Sequence, residues 1–241
     1  MRIPFMEFFL TDLIELDQIS HPEESWRLLF RIKKFNRGSS KDLPASGTLH
    51  WIDACLFLSN GDRTRRNGEP GCFETGCDES IWKFMLYGDV TREPEMRLWV
   101  TALLEAQGQG TDLPFAVIHL GSGAAIGATR YMDIRREHRS LEIGGTWYAV
   151  DYQRTAVNTE CKYLLLTHAF EALGCIRVQF KTDQRNERSQ RALERIGAVW
   201  EGTLRNHMIL PDGAIRHSVY YSIIAEEWPA VKVKLEGMLQ R

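Results

Sequence analysis

From residue 79 onward, segments whose apolar residues recur at helical spacing alternate with segments whose apolar pattern is that of β-strands. Between Thr91 and Gly108 the apolar residues recur at helical spacing, and Thr91 is well placed to cap this helix. Three runs rich in β-branched and aromatic residues follow, separated by turn residues: 115–120, 124–134 and 141–150. The pattern predicts an amphipathic helix and then three consecutive antiparallel strands.

The next segment predicts a crossover. A helix is expected from about Asn158 to Leu173, because its apolar residues keep helical spacing and Gly174 ends it. The run 176–182 then alternates apolar and polar residues, as a strand does. A strand, a helix and a second strand in this order require parallel pairing between the strand that ends at Val150 and the strand at 176–182.

The last part predicts a short helix that ends at Gly197 and a hairpin whose turn is Pro211, Asp212 and Gly213. Taken in order, these elements fit an α/β (α+β) domain with one mixed, mostly antiparallel sheet and helices on both faces.

The sequence pattern of residues 1–78 differs from that of residues 79–241, and we expect residues 79–241 to form the folded domain. The first part opens with an amphipathic helix pattern and then passes through glycine-, serine- and proline-rich stretches, so its structure is atypical and uncertain. The stretch 50–59 is a candidate strand. A basic cluster in 27–41 fits a solvated face better than a site for an acidic partner.

Composition and net charge narrow the range of function classes that this chain can belong to. The formal net charge is −2, which argues against a general nucleic-acid or membrane-surface binder. Five cysteines without metal-ligand spacing fit reduced thiols in a cytoplasmic protein, and we expect no metal. Acidic residues interrupt the apolar N-terminal stretch, which is unlike a signal peptide or a membrane span.

The polar loop 153–158 stands directly before the helix of the crossover. The N–H groups of a helix's first turn have no partner inside the helix, so such a loop is a candidate anion site. A rival is the glycine-rich run with Gly121, Gly123 and Gly127, but a strand pattern follows it, whereas a dinucleotide-binding loop opens a helix. We therefore expect a hairpin turn at that run. No P-loop or zinc motif occurs.

Three long stretches in fixed order resemble the GNAT superfamily of acetyl-CoA-dependent N-acetyltransferases, in particular its RimJ/RimL-like branch. They are "EIGGTWYAVDYQRTAVNTECKYLLLTHAFEALG", "VQFKTDQRNERSQRALERIGA" and "EGTLRNHMILPDGAIRHSVYYSIIAEEWP". The resemblance implies the GNAT acyl-CoA fold, in which the parallel strand pair splays apart. Gly144 and Gly145 suit a bulge where the divergence begins.

The resemblance also implies a coenzyme A site. The family loop pattern falls on Gln153, Arg154, Thr155, Ala156, Val157 and Asn158, with Ala156 and Asn158 in place of glycines. We expect Asn158 and Thr159 to cap the helix or to add hydrogen bonds. A backbone N–H from Tyr148, Ala149 or Val150 is expected to polarise the acetyl carbonyl.

The catalytic candidates also come from the resemblance. Glu142 corresponds to the usual carboxylate base, Ser189 to a hydrogen-bond donor for the leaving thiolate, and Asn186 to a contact with the pantetheine arm. Tyr220 and Tyr221 are alternative donors to the thiolate, although strand alternation sends only one of them to a given face. Asn186 is equally expected to cap its own helix. The implied reaction is direct acetyl transfer to a primary amine of a protein N-terminus or a small molecule, and a homodimer is compatible with it.

Two other classes of protein remain open at this point. The first is a non-catalytic acyl-CoA-binding or interaction module, and the second is an unrelated nucleotide-binding regulator.

Overall fold

The computed structural model describes residues 75–119 and 124–240, together with the backbone of one strand at 49–52. The seven strands within these residues form one sheet in the order β1-β2-β3-β4-β5-β7-β6. Their bounds are β1 Leu49–Ile52, β2 Leu113–His119, β3 Ala125–Arg135, β4 Ser140–Tyr148, β5 Arg177–Asp183, β6 Val199–Ile209 and β7 Ile215–Ile224.

Five α-helices occur in the same described residues. They are α1 Glu79–Trp82, α2 Glu93–Gly108, α3 Val157–Thr167, α4 Glu187–Ile196 and α5 Trp228–Leu239. A π-helical turn, His168–Ala172, continues α3. The residue at the cap position of α2 is Arg92 rather than the expected Thr91.

Two hydrophobic cores separate the helices onto the two sides of the sheet. Leu165 of α3 and Leu235 of α5 pack with Val178 and Phe180 of β5 in one core. On the other side, Trp99 of α2 packs with residues of β2, β3 and β4. Apolar residues at helical spacing face the sheet in each case. Helices on both faces of a mixed sheet are as predicted.

The strand pairing also confirms the predicted crossover. β4 and β5 are parallel, and every other neighbouring pair is antiparallel. The glycine-rich run near Gly127 leads into strand β3, as expected, and does not open a helix. Gly121 and Gly123 themselves lie outside the described residues.

Most predictions for residues 1–78 also fall outside the described residues, including the N-terminal helix and the basic cluster. The exception is the candidate strand at 50–59, of which the part up to residue 52 belongs to β1 and pairs with β2. The domain boundary after residue 78 stays a prediction. Within the described residues no helix is long and apolar enough to cross a membrane.

Candidate active site

The parallel pair opens into a gap. β4 and β5 are paired only where Ser140–Glu142 faces Arg177–Gln179. Beyond this point β4 continues to Tyr148 and β5 to Asp183, and each is paired only with its other neighbour. Strand edges that face a gap offer N–H and C=O groups to an extended ligand.

A bulge in β4 marks the start of the gap. Arg130 of β3 faces Gly144, whereas Ala128 faces Trp147, so β4 carries one extra residue between these pairs. Gly145 has a φ of 57°, in the left-handed region that glycine adopts without steric cost. The double glycine is therefore the bulge expected from the sequence.

The gap opens into a cavity of about 650 Å³ between β4, β5, α3 and α4. The predicted site residues that line it are Glu142, Tyr148, Gln153, Arg154, Thr155, Asn158, Asn186 and Ser189. The others, Ala149, Val150, Ala156, Val157 and Thr159, do not line it. The first two of the three stretches that resemble the GNAT superfamily, 142–174 and 178–198, thus meet at one site.

The loop before α3 is held by side-chain bonds to its neighbours. Gln153 donates from Nε2 to the carbonyl oxygen of Tyr148 (3.0 Å) and accepts at Oε1 from Arg188 of α4 (2.6 Å). Arg154 has a φ of 63°. α3 begins at Val157, whose N–H donates to Thr155 Oγ1 (3.3 Å). The loop and the first turn of α3 reach the cavity through Gln153, Arg154, Thr155 and Asn158.

The structure decides between alternatives that the sequence left open in this region. Asn158 and Thr159 do not cap α3, because the helix begins before them and both lie inside its first turn. Asn158 Oδ1 instead accepts from the Tyr148 hydroxyl (3.3 Å), and Thr159 Oγ1 accepts from Arg195 (3.1 Å). The N–H of Ala149 donates to the carbonyl oxygen of Ile126 (2.8 Å) and is not free to polarise a ligand carbonyl.

Asn186 caps α4, as expected. Its Oδ1 accepts from the N–H of Ser189 (3.1 Å), which satisfies one of the first-turn donors of the helix. The cap fixes the point at which α4 begins and thereby places the Ser189 side chain at the cavity wall. A contact of either side chain with a cofactor stays a prediction.

Glu142 is only 2% exposed, although a polar strand residue is ordinarily a surface residue. Gln179 Nε2 and Lys181 Nζ both contact its Oε2, at 3.1 and 3.3 Å. Oε1 is left as the carboxylate oxygen that can accept a proton from a water molecule. Its role as a base stays a prediction.

Sequence reasoning missed most of the charge at this site. Eight basic residues line the cavity and only one carboxylate, Glu142, although the chain as a whole is slightly acidic. The basic residues are Arg130, Arg154, Lys162, Lys181, Arg188, Arg191, Arg195 and Arg216. One signal was present: Lys162 interrupts the apolar face of the crossover helix beside Leu165 and Leu166.

These features fit coenzyme A by their chemistry. An excess of arginine and lysine beside a helix N-terminus suits a diphosphate, and the gap between strands suits an extended amide-containing arm. Gln153 to Asn158 would hold the diphosphate end, and β4 would hold the arm.

Comparison with known proteins defines the family. The family model described as "Acetyltransferase (GNAT) domain" matches residues 66–199. The chain therefore belongs to the GNAT acetyltransferase family, as the three motif-bearing stretches predicted.

Individual relatives agree with this assignment. Over 113 residues the chain is 32% identical to a Bacillus subtilis (strain 168) protein described as "Putative ribosomal N-acetyltransferase YdaF". That alignment covers 47% of this chain and 61% of the relative, whose description agrees with the RimJ/RimL-like branch.

Two solved structures give the same fold. A T. thermophilus protein described as a "putative acetyltransferase" is 42% identical, with a TM-score of 0.62 over 67% of this chain and 84% of that chain. A GCN5-related N-acetyltransferase from Brucella melitensis is 27% identical, with a TM-score of 0.65 over 69% and 75% of the two chains.

Proposed function

We propose that this chain is an acetyl-CoA-dependent N-acetyltransferase that transfers an acetyl group to a primary amine by direct attack. One observation carries the proposal: the gap between β4 and β5 and the first turn of α3 open into the same cavity. Acetyl-CoA has an extended arm for the gap and a diphosphate for the helix turn. Membership in the GNAT family supports the same assignment.

The diphosphate is assigned to the loop from Gln153 to Asn158. Its backbone N–H groups are the main donors, except those of Gln153 and Val157, which donate to Val150 and Thr155. Arg154 and Arg188 add positive charge. Ala156 stands where the family has glycine, and its methyl group limits how closely a phosphate approaches the backbone. Asn186 is assigned to the pantetheine arm, because its amide Nδ2 carries two N–H donors.

The acetyl carbonyl is assigned to a backbone N–H at the end of β4. Because the N–H of Ala149 is bonded to Ile126, the donor is that of Tyr148 or Val150. A donor aimed at the oxygen that becomes negative in the transition state contributes about 100-fold to 1,000-fold in rate.

Proton transfer is assigned to two side chains. Glu142 acts as the base through a water molecule at Oε1, since Oε2 is held by Gln179 and Lys181. Ser189 donates a hydrogen bond to the departing sulfur from the cavity wall. The attacking amine must be neutral, which favours an α-amino group with a pKa of about 8 over a lysine near 10.4.

A protein N-terminus is therefore the acceptor class that we propose first. The Bacillus relative is described as a ribosomal N-acetyltransferase, which supports a protein acceptor. Small-molecule amines with similarly low pKa values are the alternative acceptors.

Calorimetry with CoA and free-thiol release test the proposal. We expect CoA to bind and acetyl-CoA to be consumed with peptides that have a free N-terminus, and less with N-blocked peptides that contain lysine. Failure to bind CoA at millimolar concentration would overturn the proposal. Binding without turnover on any amine would favour a non-catalytic CoA-binding module instead.

Two variants test the assigned side chains, and each is compared with the exposed control Glu137→Gln. Glu142→Gln should lower kcat by about 100-fold, within the range that general base catalysis contributes. Ser189→Ala should lower kcat with little change in CoA affinity. Unchanged turnover at saturating acceptor would remove the substituted residue from the mechanism.

A further inference from the structure

Lys162 is a buried lysine at the gap between the diverging strands. It lies on α3 and is only 5% exposed, yet its side chain lines the cavity. Its Nζ donates to Thr146 Oγ1 on β4 (3.0 Å) and lies 5.7 Å from the ring centroid of Phe180 on β5. The ammonium group therefore stands between the two strands just beyond their paired segment.

The charge of Lys162 has no carboxylate partner among residues 75–119 and 124–240, where no acidic group lies within 4.0 Å of Nζ. Thr146 is a neutral acceptor, and its hydroxyl also bonds Thr129 Oγ1 (2.8 Å). An ammonium group has three hydrogens, and Thr146 takes one of them. Burial without a counter-charge is unfavourable and lowers the pKa of Lys162 to about 8.

The titratable groups on the elements around Lys162 do not supply that counter-charge. On β4 these are Glu142 and Tyr148, and Glu142 is bonded to Lys181 of β5. Asp183 of β5 is bonded to Arg185. On α3 and α4 the acidic residues are Glu160, Glu187 and Glu194, and none of them lies within 4.0 Å of Nζ. The other titratable groups on these two helices are Cys161, Tyr163, Arg188, Arg191 and Arg195. Burial raises the pKa of the Cys161 thiol to about 12, so it stays neutral. An anionic group in the cavity is the remaining source of compensation.

We propose that Lys162 contacts the sulfur of coenzyme A and stabilises it as the thiolate leaves. The proposal depends on the proposed function, since it needs the thioester end of acetyl-CoA in the gap. When the acceptor nitrogen bonds to the acetyl carbon, the carbon–sulfur bond breaks and its electron pair stays on sulfur. Lys162 keeps its proton and holds the sulfur as a thiolate through a charged hydrogen bond, the acceptor amine loses a proton through Glu142 and water, and the thiolate takes a proton from solvent as CoA leaves.

This role differs from that of Ser189, which is a neutral donor on α4. A buried positive charge lowers the pKa of a nearby thiol, whereas a serine hydroxyl shifts it much less. The two contributions are therefore separable by measuring the thiol itself. The matched charge control is Lys234→Met, which removes an exposed lysine of α5.

The test measures the pKa of the thiol of bound CoA by the ultraviolet absorbance of its thiolate. In the wild-type protein we expect this pKa to lie at least about one unit below the ordinary value near 8.5. Lys162→Met should return it to that value or above, which is about a ten-fold loss of thiolate at neutral pH. Lys234→Met should leave it lowered, and Ser189→Ala should leave most of the shift.

The outcomes separate this inference from the proposed function. A bound thiol in the wild-type protein that titrates at or above its ordinary pKa overturns the role of Lys162, even if acetyl transfer is robust. An equal thiol pKa in wild type and Lys162→Met does the same. Absence of CoA binding to the wild-type protein overturns the proposed function instead. If Lys162→Met does not fold, Lys162→Gln, which also removes the charge, supplies the same comparison.

Discussion

Gly127 offers a direct test of how tightly β3 and β4 approach each other beside the site. It lies in β3 opposite Tyr148, and a Cβ added there would meet the carbonyl oxygen of Trp147 and the Cα of Tyr148. Both are backbone atoms of β4, which cannot rotate away as a side chain does. Gly127→Ala must therefore displace the segment of β4 that is proposed to polarise the acetyl group.

The expected loss of stability follows from this overlap. Overpacking a close-packed region costs about 1–3 kcal/mol, and an obstacle made of backbone places Gly127→Ala near the upper end. For a domain of this size each kcal/mol corresponds to about 2–4 °C in Tm, so the variant should melt roughly 6–12 °C below wild type. Differential scanning calorimetry measures this change, and the Kd for CoA should rise in parallel.

Gly237→Ala is the matched control. Gly237 is a helical position in α5, and an added Cβ there meets nothing within 4 Å. Since alanine is a better helix former than glycine, this variant should gain about 0.5–1 kcal/mol. If Gly127→Ala melts less than about 2 °C below wild type, the reasoning about β3 and β4 is wrong.

Three further predictions concern stability. Asn186→Ala should lose about 1 kcal/mol in urea unfolding because it removes the cap of α4, and Asn186→Asp should retain the cap. Burial alone raises the pKa of Asp183, but its bonds to Arg185 outweigh burial, so the pKa is lowered. The stabilisation that Asp183 contributes is therefore complete above the ordinary carboxyl pKa and is lost as pH falls through the lowered value. Asp183→Asn should accordingly flatten the loss of Tm below about pH 4. Lys162→Met should be more stable than wild type at neutral pH, and this advantage should shrink as pH rises from about 8 to about 10.4, where lysine is neutral in both states.

The elements of the fold were predictable because their signals are local. The helical and alternating spacings of apolar residues predicted the order of elements from α2 to β7. The length of the crossover required the parallel pairing of β4 with β5. The bulge was visible as Gly144 and Gly145, since a left-handed backbone favours glycine. These features need no knowledge of distant residues.

The details that the sequence left undecided depend on the final positions of residues in the fold. The N–H of Ala149 is engaged by Ile126, 23 positions earlier in the chain, and no local pattern shows that bond. Glu142 is buried because Gln179 and Lys181 reach it from the neighbouring strand. Asn158 lies two residues after the cap position, Ala156, which is within the one or two residues by which assigned helix boundaries vary.

The cationic character of the cavity links these points to function. Because the chain carries a formal net charge of −2, its composition conceals a site with eight basic residues and one acidic residue. Most of these basic side chains reach water or a carboxylate, but Lys162 is held between β4 and β5 with Thr146 as its acceptor. An ammonium group there destabilises the free protein and becomes favourable only when negative charge develops beside it. Lys162→Met should therefore raise the Tm of the free protein and lower the thiolate fraction of bound CoA at neutral pH. A purely structural lysine would not produce this pair of opposite effects.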